Sequence, residues 1–116
     1  MKYFAALVSL SLIVAVSAAE RSTVESDRIE FLIHSVEVAD AKFIRNGKEY
    51  DATAAANHLR LKLKYFCPSV TTAEEFISGC ASVSSESQQP YQVRTVRGTT
   101  ILLSDFLRQR LAEFRP

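Results

Sequence analysis

Hydrophobic residues in this chain change their spacing several times, and each change marks an element. From Ser22 to Val38 the spacing is three and four: Ile29, Leu32, Ile33 and Val36 share one helical face, as a buried stripe requires. Ser22 and Glu25 precede that stripe at capping-box spacing, which satisfies unpaired N–H groups at a helix start. Val24, Phe31 and Val38 fall on the opposite side, so this helix has apolar surface on both flanks. Asp40 to Lys42 then lead into two strand-like runs, Phe43-Ile44-Arg45 and Lys48-Glu49-Tyr50, around Asn46-Gly47. That pair tolerates the positive φ needed at both central positions of a type I′ turn, which predicts a two-residue hairpin.

Helical spacing returns after Asp51, whose side chain suits the cap position ahead of the helix formers Ala52 to Ala56. Ala52, Ala55, Ala56, Leu59, Leu63 and Phe66 make one face, and Ala54, Leu61 and Tyr65 gather on the other. We read this helix as sandwiched between layers; the alternative is a second side that meets a partner. Cys67-Pro68-Ser69 ends it, because proline cannot continue a helix and disfavours helical geometry in the residue before it. Thr72-Ala73-Glu74-Glu75 is a second capping box, opening a short helix with Phe76, Ile77 and Cys80 inward and Gly79 weakening its end. Ser82 to Gln89 is polar, serine-rich and aperiodic, a loop expected to be the flexible part of the chain.

Tyr91 to Val96 and Thr99 to Leu103 read as strands around an Arg97-Gly98 turn. Ser104 or Asp105 is expected to cap a last helix that buries Phe106, Leu107, Leu111 and Phe114. Helix, hairpin, helix thus occurs twice, with Asp51 before His58-Leu59-Arg60-Leu61-Lys62-Leu63 and Asp105 before Phe106-Leu107-Arg108-Gln109-Arg110-Leu111. Duplication and chance both account for that likeness. The fold class expected is α+β: two β-hairpins forming a small antiparallel sheet packed with about four helices, in the order αββα-αββα.

The N-terminus changes the picture of where the chain resides. MKYFAALVSLSLIVAVSAA has one lysine, an apolar run from Phe4 to Val16 and small residues at Ser17, Ala18 and Ala19, the layout of a secretory signal peptide. The run is short for a bilayer span, which takes roughly 20 residues. Cleavage is expected after Ala19, with Ala18 as second choice, and no lipobox cysteine follows. Residues 1–19 are therefore read as the signal peptide and 20–116 as a single α+β domain, about 97 residues with room for one modest core. Losing Lys2 reduces the 14 basic residues by one and leaves them equal to the 13 acidic ones. A neutral chain argues against bulk electrostatic binding of nucleic acid or anionic lipid. Its two cysteines, Cys67 and Cys80, would be exported to a compartment where disulfides persist, so pairing is expected. A catalytic thiol is disfavoured, since neither cysteine stands in a C-x-x-C or a nucleophile motif.

Candidate chemistry is sparse. His58 and Lys62 are one helical turn apart, with Arg60 on the other flank. Together with Arg45 at the hairpin and the Ser84-Ser85 loop they would line a polar recess for an anionic or sugar-like ligand. The competing reading, which we favour, makes Arg45 and Lys62 boundary residues with packed stems and wet charges. Ser84 or Ser85, His58 and Asp51 contain the side chains of a serine hydrolase, but no Gly-x-Ser-x-Gly turn accompanies them. His34 and His58 are far apart with no close ligand spacing, so no metal is expected. The three glycines are scattered and form no phosphate-cradling loop, and no cofactor is expected.

Four phrases in order carry a resemblance: Phe43-Ile44-Arg45-Asn46-Gly47, His58-Leu59-Arg60-Leu61-Lys62, Thr72-Ala73-Glu74-Glu75-Phe76-Ile77, and Ala81-Ser82-Val83-Ser84-Ser85 ahead of Pro90-Tyr91. The chain resembles the YfeK-like family of small exported bacterial proteins, a domain of unknown function, from about Phe43 to Tyr91. The resemblance implies a periplasmic protein of a Gram-negative bacterium. It transfers no catalytic residue, because the family has no established activity. Gln88 stands where that family often has a glycine ahead of the Pro-Tyr pair, and the family does not demand cysteine at positions 67 and 80. The function expected is a non-enzymatic binding or protein-interaction module. The alternative is a small cell-envelope hydrolase using His58 and the Ser84/Ser85 loop. Its partner would be a periplasmic protein or a small ligand, with no nucleic acid and no membrane insertion after cleavage; a homo-oligomer stays open.

Overall fold

A computed structural model of the chain describes residues 20–116, and the expected signal peptide, residues 1–19, lies outside the described residues. The element order is α1 (Thr23–Glu37), β1 (Ala41–Arg45), β2 (Lys48–Tyr50), α2 (Ala52–Tyr65), α3 (Ala73–Gly79), β3 (Gln92–Thr95), β4 (Thr100–Leu102) and α4 (Leu103–Glu113). This is an α+β fold with an antiparallel sheet in the order β2-β1-β3-β4. The two hairpins join through their first strands, so each hairpin's second strand lies at an edge.

The register explains the sheet's two faces. Tyr50, Phe43, Val93 and Ile101 pair in one row across the four strands. Phe43 and Val93 are buried in that row and Ile101 packs against the same core. Strand side chains alternate, so the adjacent row, Glu49, Ile44, Gln92 and Leu102, looks outward. Glu49 there pairs with Arg94. Helices cover only the inner face, where Leu32, Val36, Phe76 and Leu107 complete the core. Among the described residues no helix is long and apolar enough to cross a membrane.

Local signals set most boundaries. Asn46 and Gly47 have φ of 53° and 74°, as the type I′ turn needs. The Asp51 carboxylate accepts the Ala54 N–H at 2.8 Å and caps α2. Ser22 and Thr72 accept the N–H groups of Glu25 and Glu75. The reciprocal half of each capping box is directed elsewhere. Glu25 accepts the Ala73 N–H and pairs with Arg28, and Glu75 accepts both the N–H and the hydroxyl of Thr71. Glu25 and Arg28, with Glu74, therefore tie the starts of α1 and α3 together rather than closing α1 on itself.

Three expectations are corrected. α2 is not sandwiched: Ala54, Leu61 and Tyr65 face solvent, the last two 56% and 64% exposed, because its outer side meets no further layer. Phe66 leaves the predicted buried face. As the C-cap residue it is 70% exposed, and Lys62 occupies the buried stripe with Ala56 and Leu59. The last helix begins at Leu103 without a side-chain cap. The β3–β4 pairing runs straight into the helix, the Leu103 N–H donating to the Tyr91 carbonyl, and Ser104 is buried while Asp105 sits in the first turn. The serine segment is a loop, as expected, and it carries backbone hydrogen bonds of its own. Val83 bridges Pro90, the Ser84 N–H donates to the Gln89 carbonyl, and the Gln88 N–H donates back to the Ser84 carbonyl.

Gln88 closes this loop at φ 60°, in the left-handed region. That conformation costs an L-residue roughly 1 kcal/mol that glycine does not bear. Gln88→Gly is therefore expected to raise stability by about 0.5 kcal/mol after its larger unfolded-state entropy is offset. An upward shift in the urea midpoint checks it. A downward shift would show that the Gln88 amide bond to the Ser85 carbonyl outweighs the backbone strain.

Cys67 and Cys80 form a disulfide with Cα atoms 5.9 Å apart. It joins the segment after α2 to the C-cap of α3, and both cysteines are buried in the core.

Candidate functional site

The tip of the first hairpin, the middle of α2 and the serine loop converge on one recess. Asn46 fastens the hairpin tip to the loop, accepting from the Ser87 hydroxyl and donating to Glu86. On α2, His58 and Lys62 project from successive turns toward Tyr91, which enters just before β3. The recess of about 310 Å³ is lined by Arg45, His58, Lys62, Ser84, Ser85, Glu86 and Tyr91, with Phe66 beside them.

Tyr91 is the hub. Lys62 Nζ donates to the Tyr91 hydroxyl at 3.0 Å and to the Val83 carbonyl at 2.6 Å. His58 Nε2 lies 3.2 Å from the same hydroxyl. A hydroxyl that accepts from an ammonium has its own proton free to donate. Its remaining proton can go to His58 Nε2, and its second lone pair can equally receive an Nε2–H, so the contact serves either neutral tautomer of the ring. Lys62 is only 6% exposed, so the boundary reading fails for it: its ammonium is buried on two neutral oxygens. Among the described residues no carboxylate forms a salt bridge with it. Arg45 is intermediate. Its outer nitrogen meets Glu86 at 3.5 Å, while its buried Nε has no hydrogen-bond partner among the described residues.

The site is thus electropositive at close quarters. Burial, then the charges of Arg45 and Lys62, push the His58 pKa below 6.5. Burial, then Arg45, pushes the Lys62 pKa below 10.5. Burial raises the Tyr91 phenol above 10.0 against the opposing pull of Arg45, so Tyr91 stays a neutral hydroxyl rather than a nucleophile.

The lowered His58 value has a thermodynamic consequence. Between its folded pKa and 6.5 the unfolded chain binds a proton at His58 that the native protein does not. Stability therefore rises with pH in that window and is lost as pH falls through it. Urea titrations at pH 7.5 and 5.5 are expected to show a lower midpoint at the acidic pH, and His58→Gln is expected to flatten the difference. An equal drop in the variant would assign the effect elsewhere.

Of the residues expected to form the site, Arg45, His58, Lys62, Ser84 and Ser85 do line one recess. Arg60 does not. It donates to Glu30 and Glu37 of α1 and clamps the two helices together. The hydrolase arrangement is not assembled. The Asp51 carboxylate is used as a helix cap, about 10 Å along the axis from His58. The Ser84 hydroxyl, 1% exposed, accepts the Glu86 N–H instead of meeting the imidazole. Among the described residues no group of three His, Cys, Asp or Glu side chains gathers as a metal site. Tyr91 and Glu86 were not anticipated as site residues. The available signal for Tyr91 was that a buried phenol needs a hydrogen-bond partner.

A second recess of about 150 Å³ lies between α2 and the inner face of the sheet, lined mainly by Phe43, Tyr50, Ala54, Ala55, Leu59 and Leu103. Arg45, His58 and Tyr91 line both recesses, which therefore adjoin.

A family model described as "Family of unknown function (DUF5329)" matches residues 23–115. The uncharacterized protein YfeK of Salmonella typhimurium is 38% identical over 68 residues. That similarity covers 58% of this chain and 57% of the relative, so the match spans little more than half of either. No solved structure matches.

Proposed function

Because the chain belongs to the DUF5329 family, whose function is unknown, we propose a role from its site: an exported, non-enzymatic module that binds an anionic ligand in the cationic recess. The leader-like residues 1–19 and the disulfide support export. The observation that carries ligand binding is the convergence of Arg45, His58 and Lys62 on one recess, with Lys62 held by a carbonyl and a phenol instead of a carboxylate. Two cations without a buried counter-charge are stabilised by an anion that enters. Glu86 at the rim, 76% exposed and 3.5 Å from Arg45, is a weakly held carboxylate that such a ligand displaces.

Nothing in this arrangement needs to be activated. The phenol is neutral, the imidazole is hydrogen-bonded to that phenol, and the buried Ser84 hydroxyl is engaged by backbone. Titration with inorganic phosphate and with acetate, followed by amide chemical shifts, is expected to move signals around Arg45, His58 and Tyr91. Lys62→Met preserves the packed stem, and Arg45→Gln preserves hydrogen bonding without charge. Each is expected to weaken anion binding roughly tenfold or more, the worth of one charge-assisted hydrogen bond. Absence of any shift in the native protein, or unchanged affinity in both variants while they remain folded, overturns the reading.

A further inference from the structure

We propose that the ligand is an aryl carboxylate: its carboxylate sits on Arg45 in the cationic recess and its ring fills the adjoining recess under α2. This deepens the anion-binding reading and rests on it. Three observations carry the added claim.

First, Arg45, His58 and Tyr91 line both recesses, so the two adjoin within the span of one small molecule. Second, the inner recess exists because α2 presents Ala54 and Ala55 where it passes Phe43, Tyr50 and Leu103. A larger side chain at Ala55 would fill the gap, and one at the exposed Ala54 would narrow its rim. An apolar cavity of about 150 Å³ accommodates a benzene ring. Third, Arg45 holds the exposed Glu86 carboxylate only through a long contact of 3.5 Å, which leaves its outer guanidinium edge weakly paired. A guanidinium fork is matched by a planar carboxylate, which takes two parallel hydrogen bonds. The site thus asks for a negative, planar end joined directly to a ring-sized apolar body.

The test titrates the purified protein with sodium benzoate, sodium acetate, inorganic phosphate and benzyl alcohol, using calorimetry and amide chemical shifts. Benzoate is expected to bind at least roughly tenfold more tightly than acetate, from the apolar area its ring buries. It is also expected to exceed benzyl alcohol by a similar factor and to shift the amides of Phe43, Ala55 and Leu59. In Ala55→Leu, which fills the inner recess, the preference for benzoate over acetate should fall to about one, since no ring-sized space remains. Should Ala55→Leu fail to fold, Ala54→Val at the exposed neighbour reads the same preference. Acetate or phosphate binding as tightly as benzoate overturns the two-recess ligand and leaves the anion reading intact. Benzyl alcohol matching benzoate overturns the pairing with Arg45. If none of the three anions binds, both proposals fall together.

Discussion

Replacing both cysteines, Cys67→Ala with Cys80→Ala, is expected to lower the unfolding free energy by about 3 kcal/mol. The disulfide closes a loop of sequence separation 13, and cross-linking a loop of that size removes conformational freedom chiefly from the unfolded chain. Marginal stability makes this loss large, since a domain of this size holds only about 5–15 kcal/mol in total. It reads as a fall of roughly 2 M in urea midpoint for a slope typical of small proteins. The native protein under a thiol reductant should show the same midpoint. The effect reaches the site, because the bond anchors the end of α2 and the start of the segment leading to Val83. That segment's carbonyl receives Lys62. Weaker anion binding is therefore expected alongside the lost stability, and an unchanged midpoint would show that core packing alone holds these segments.

Phe76→Ala is expected to cost about 4 kcal/mol, a large share of the stability of so small a domain. Phe76 is 0% exposed in α3, a helix of only 7 residues. So short a helix is not stable by itself; it persists because Phe76 and Ile77 are seated in the core against α1 and α4. Truncation removes the ring's transfer free energy and leaves a cavity among closely packed core residues. Phe76→Leu is expected to cost much less, since the replacement refills most of the space. Chemical denaturation of the two variants measures both. A cost below about 1.5 kcal/mol for the alanine variant would mean that α3 docks loosely.

Residues whose conformation depends on near neighbours were legible before any coordinates. Asn46-Gly47 demanded a tight turn because both positions need positive φ, and the structure places them there. Asp51, Ser22 and Thr72 were readable as caps because an oxygen near three free N–H groups has one local use. The capping boxes were half right for the same reason. The backbone half is local, whereas Glu25 was drawn to Ala73 and Arg28, partners that only the packing of α3 beside α1 supplies.

Lys62 shows where a pattern of polar and apolar positions stops being informative. A lysine at the edge of an apolar stripe is ordinarily solvated at its tip. Here two oxygens from residues 21 and 29 positions away receive the ammonium, so burial is tolerable. Tyr91 read as a strand residue because its hub role comes from His58 and Lys62 on another element. Arg60 was misassigned in the opposite direction: its two carboxylate partners belong to α1.

Spacing and groups a few residues apart set the alternation of helices and hairpins, the turn at Asn46-Gly47 and three of the helix starts. Tertiary structure alone decided that helices cover one face of the sheet, that Leu61 and Tyr65 stay in solvent, and that Arg45, His58, Lys62 and Tyr91 meet around one recess. Those outcomes depend on which distant elements supply an acceptor or a covering layer, and no local period records that choice.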